Sequence, residues 1–123
     1  MVDDREAAEI VAEAAGEICE VVVTGPDLDW LAALTRSLIE DRLAACGQHI
    51  ASIRSVYRWQ GRIEDETEAR VALHTRLSLV PAILERVLRE HPYEVPCVLA
   101  IPVLSANPAY TQWVLAETQD PQG

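Results

Sequence analysis

The sequence has no lysine and no phenylalanine. Without lysine there is neither a Schiff-base amine nor a phosphate-loop ammonium, which removes two broad kinds of chemistry. Without phenylalanine, and with six other aromatic residues among 123, the core must be aliphatic. Positive charge is scarce as well. Ten arginines face twenty acids, for a formal charge of −10. Such a chain lacks the basic footprint that nucleic acid or an anionic membrane surface requires. No apolar run approaches the roughly 20 residues of a membrane-spanning helix. The start, Met1-Val2-Asp3-Asp4-Arg5, is acidic where a secretory leader is basic, so a soluble, cytoplasmic protein is expected. Cys19, Cys46 and Cys97 are odd in number, widely spaced and free of any C-x-x-C pair, which excludes a zinc ribbon and a thioredoxin-type motif. Reduced thiols in a cytosol are the simplest reading.

Half of the residues are apolar, enough for one domain with its own core. The charge is unevenly placed. Residues 1–17 hold six acids against Arg5 alone, half of the total charge. This segment is expected to be an acidic N-terminal extension, helical or partly disordered, and residues 18–123 a single domain.

Ile18 to Thr24 is β-branched and short, a buried strand stopped by Gly25-Pro26. Asp27 can cap a helix in which Leu31, Leu34, Leu38 and Leu43 recur at helical spacing, to about Ala44. Ile50–Trp59 and Ile63–Thr75 read as two long strands around Gln60-Gly61. Ser78 is the expected cap of a second helix, which Pro92 ends. Cys97–Leu104 is the fourth strand; Pro102 suits an edge position. Asn107-Pro108 opens a last helix. The order β-α-β-β-α-β-α predicts an α+β fold, a split β-α-β sandwich: an antiparallel sheet, helices on one face, a long β2–β3 hairpin and an extra C-terminal helix. The other sheet face needs a cover, and a partner subunit is the economical one. Tyr57 and Trp59, two apart near the hairpin tip, fit an interface better than a ligand-stacking pair.

Four strings stand in order over residues 18–117: Arg42-Leu43-Ala44-Ala45-Cys46; Ser55 to Ile63 (SVYRWQGRI); His91-Pro92-Tyr93-Glu94-Val95-Pro96; and Asn107-Pro108-Ala109-Tyr110 with Trp113. Together they resemble the CutA family of divalent-cation tolerance proteins. The resemblance implies a ferredoxin-like fold, a homotrimer whose hairpins associate, and binding of copper or another divalent cation without enzymatic activity. It also implies an architecture like that of PII signalling trimers, so a sensor binding a small anion between subunits is the alternative, with Arg70, Arg76 and His91 as its positive groups.

Within the resemblance, Cys46 and His91 are the candidate metal ligands. A thiolate suits soft copper or zinc, and a small buried thiol is the competing reading of Cys46. For His91 the competing reading is a helix-end histidine favoured by the dipole. Tyr93, Glu94, His74 and Glu68 are further ligand candidates. Glu64, Asp65, Glu66 and Glu68 offer oxygen ligands for hard cations, or simply a solvated strand. The chain departs from the family pattern at Gly25, at Gly47-Gln48-His49 and at His74, where many members have cysteine, Val-Asn and lysine. A hydrolase built on Cys46 and a histidine base is a third class, disfavoured because no nucleophile elbow or glycine-rich loop is present.

Overall fold

The β-branched run forms β1 (Ile18–Gly25), and Gly25-Pro26 turns the chain into α1 (Leu28–Glu40). In this computed structural model residues 17–120 and Asp3 are described, so the expected helical or disordered extension lies otherwise outside the described residues. Asp27 caps α1 by accepting from the Trp30 amide at 2.8 Å. α1 stops four residues earlier than its periodicity suggests. Arg42 takes a left-handed φ of 59°, and the chain then hands its next amide to the sheet, Ala45 N–H donating to His74 O.

β2 (Cys46–Trp59) and β3 (Arg62–Arg76) form the long hairpin. Gln60 and Gly61, both at positive φ, make its two-residue turn. β2 begins four residues before the expected Ile50. Gly47 permits this, because a Cβ there would lie 2.5 Å from Thr35 Cγ2 on α1. The register shifts once, between Ala51 and Ile53.

A 3₁₀ turn (Leu77–Leu79) precedes α2 (Val80–Glu90). Ser78 falls inside that turn and makes no cap bond, contrary to expectation. β4 is shorter than expected, Val98–Pro102, and it is an edge strand, as Pro102 requires. Asn107 caps α3 (Pro108–Glu117) through Ala109 N–H.

The sheet order is β2-β3-β1-β4, antiparallel throughout, a ferredoxin-like α+β fold. Alternation sends Cys19, Val21 and Val23 of β1, with Val71 and Leu73 of β3, toward α1 and α2. There they form an aliphatic core with Leu31, Leu38, Ile83 and Val87. On the opposite face α3 covers one end, where Val114 meets Ile18 and Ala45. The rest of that face carries Ile50, Leu99 and Ile101, which are 52%, 54% and 45% exposed. β1 pairs with β3 only over Ala69–Arg76, so the outer half of the hairpin extends seven residues, about 20 Å, beyond the neighbouring strand.

Candidate functional site

Cross-strand pairing lines up three polar residues on the face opposite α1 and α2. Cys46 opens β2 directly opposite His74 on β3, and His74 stands opposite Glu20 on β1. Cys46 Sγ lies 3.4 Å from His74 Nδ1, and His74 Nε2 lies 2.9 Å from Glu20 Oε2. Tyr110, from the first turn of α3, brings its hydroxyl to 3.2 Å from Sγ and within bonding distance of Nδ1. As an imidazolium, His74 donates from Nε2 to the carboxylate and from Nδ1 toward the Tyr110 hydroxyl, its nearest partner, and the more distant sulfur, and the Tyr110 hydroxyl donates to sulfur.

The electrostatics follow this geometry. The hydrogen bond from His74 pulls the Cys46 thiol below its ordinary pKa, with Tyr110 helping against the opposing effect of burial. The same bond, reinforced by Glu20, raises His74 to about 9. Burial and the Cys46 hydrogen bond push Tyr110 up to about 12. Each shift favours the charged form: the sulfur toward thiolate and the imidazole toward imidazolium, with the Glu20 carboxylate beside the ring. The trio is reachable: Cys46 is partly exposed, and the His74 and Glu20 side chains are 14% and 34% accessible.

The structure brings the candidate residues together selectively. Cys46 and His74 meet; His91 stands elsewhere. It caps the C-terminus of α2, its Nε2–H donating to Thr24 O at 2.7 Å and its Nδ1 accepting from the Tyr93 amide at 3.1 Å. Trp30 and Tyr93 pack on its ring, with centroids 4.7 and 4.6 Å away. Both ring nitrogens are committed, so His91 offers no lone pair to a metal ion. Thr24 is four residues along β1 from Glu20, about 13 Å. Within one chain, therefore, Cys46 and His91 do not form a shared metal site, and the reason is strand register.

Tyr93 and Glu68 do meet. Burial and the neighbouring Glu68 carboxylate push the Tyr93 phenol up to about 12, and burial together with Glu66 raises Tyr57, so acidic and phenolic groups stand near one another along the hairpin. Glu68 is buried and Glu94 is exposed. His74 lies six residues from Glu68 along β3 and belongs to the cysteine cluster instead. Among the described residues no group of three or more His, Cys, Asp or Glu side chains is arranged to hold a metal ion. His49, which departs from the family pattern, bonds Thr35 Oγ1 at 3.0 Å on the helix-facing side.

Sequence reasoning missed Tyr110 as a partner of Cys46 and Glu20 as a partner of His74. Glu20 left a signal, a lone carboxylate inside a β-branched strand.

The fold and this row of side chains define a class: ferredoxin-like domains with an extended β2–β3 hairpin and a cysteine at the start of β2. The family described as CutA1 divalent ion tolerance protein matches residues 19–117, and the chain belongs to it. Protein CutA of Mus musculus is 41% identical over 104 residues, covering 85% of this chain and 59% of the mouse protein. The chain thus spans about three fifths of that relative's length. The divalent-cation tolerance protein CutA of Thermus thermophilus is 34% identical over 98 residues, covering 80% of this chain and 95% of its own. The crystal structure of CutA1 from Oryza sativa superposes with a TM-score of 0.82 at 35% identity, covering 85% of this chain and 95% of that one. No helix among the described residues is long and apolar enough to cross a membrane.

Proposed function

We propose that this chain works as a homotrimeric, non-enzymatic divalent-cation tolerance protein that binds metal ions, copper among them. The observation that carries this reading is the half-covered sheet. Ile50, Leu99 and Ile101 stand exposed on the face that α1 and α2 leave open, and Tyr57 and Trp59 stand on the projecting hairpin. An aliphatic patch of this kind on a small domain is an interface. In this reading Tyr57 and Trp59 are interface anchors, and residues 18–123 are the assembling unit. The trimer itself rests on the family.

Metal binding in this reading belongs to the assembly. Glu64, Glu66 and Glu68 alternate along one face of β3, in the part of the hairpin that projects beyond β1. Their oxygens suit divalent cations, and neighbouring hairpins supply the remaining ligands. The three free cysteines support a reducing compartment, the cytoplasm. The anion-sensor alternative loses two of its three positive groups. Arg76 is tied to Leu115 O, Thr118 and Asp120, and His91 to Thr24 O and the Tyr93 amide.

Sedimentation equilibrium and calorimetric titration with Cu(II) and Zn(II) test the reading. A particle of three 13.6 kDa chains is expected. Ion binding should persist in high salt and vanish in Glu64→Gln/Glu66→Gln/Glu68→Gln. A monomer at micromolar concentration, or binding abolished by salt alone, overturns it; the second outcome is the signature of diffuse attraction to an acidic surface.

A further inference from the structure

We draw no further inference here: the strongest candidate, the apolar groove between α1 and the outer strand β2 that Ala32, Ala33, Ile39, Gly47 and His49 line, lies beside a free sheet edge of a chain read as one subunit of an assembly, and nothing in the structure shows what covers it.

Discussion

Cys46 and His74 are 28 residues apart in sequence and directly opposed across the β2–β3 ladder, with Sγ 3.4 Å from Nδ1. That opposition, with the Tyr110 hydroxyl 3.2 Å from Sγ, sets the surroundings of the sulfur. A lysine in place of His74 would give the sulfur a positive neighbour without the planar ring that reaches on to Glu20.

The pair sets a pH signature in stability. His74, raised to about 9, adds stability that is fully present below its ordinary 6.5 and is lost as pH rises through 9. Cys46, lowered from 9.0, adds stability that is present above 9.0 and is lost as pH falls through its folded value. The two contributions slope in opposite directions with pH. At fixed protein concentration the urea-midpoint deficit of His74→Gln relative to wild type should be largest below 6.5 and shrink as pH rises through 9, and that of Cys46→Ala should be largest above 9.0 and shrink as pH falls. A His74→Gln deficit that grows from pH 6.5 to 9 counts against the ion pair.

His91→Ala should destabilise the fold by about 2 kcal/mol, because it strips Thr24 O and the Tyr93 amide of their partners and removes a ring packed between two aromatics. Metal uptake per folded trimer should not change. Chemical denaturation and a Cu(II) titration of the same variant separate the two effects. Loss of uptake in a fully folded protein would return His91 to the ligand set.

Gly47→Val should be destabilising by about 1–3 kcal/mol, since the added Cβ meets Thr35 Cγ2 at 2.5 Å, with Leu73 and Val71 at 3.1 Å behind it. A lowered thermal midpoint with unchanged far-UV circular dichroism is the expected result. An unchanged midpoint would mean that β2 and α1 separate at little expense.

Thr75 is fully buried and its hydroxyl donates to Leu43 O at 2.6 Å, tying the end of the α1–β2 connection to β3. Thr75→Val keeps the shape and leaves that carbonyl unpaired. A loss of about 1–3 kcal/mol in denaturant unfolding is expected.

Tyr57→Ala and Trp59→Ala should weaken self-association without unfolding the domain, since both side chains lie on the projecting hairpin, outside the aliphatic core. Sedimentation velocity over a dilution series reads this as dissociation at higher protein concentration than wild type. Association unchanged in both variants places the interface elsewhere.

The local architecture was legible in the residues. Alternation in Ala69–Thr75, the Gln60-Gly61 turn, the Asp27 and Asn107 caps and Pro102 at an edge all act within a few residues of themselves, and each stands where its chemistry puts it. The misplaced boundaries have tertiary causes. α1 ends at Glu40 because the chain must turn to give Ala45 N–H to His74 O, and β2 begins at Cys46 because Gly47 fits under Thr35.

The sequence by itself determined the order of elements, the aliphatic core, the open sheet face and the absence of lysine chemistry. Only the tertiary structure decided that Cys46 is partnered by His74 and Tyr110, that His74 reaches on to Glu20, and that His91 is spent on Thr24 and Tyr93. The physical reason is register. A side chain's face follows from its own strand's alternation, but its neighbour across the ladder depends on where strands 28 and 54 residues apart align. A shift of one residue would turn His74 to the other face, and no local pattern records that choice.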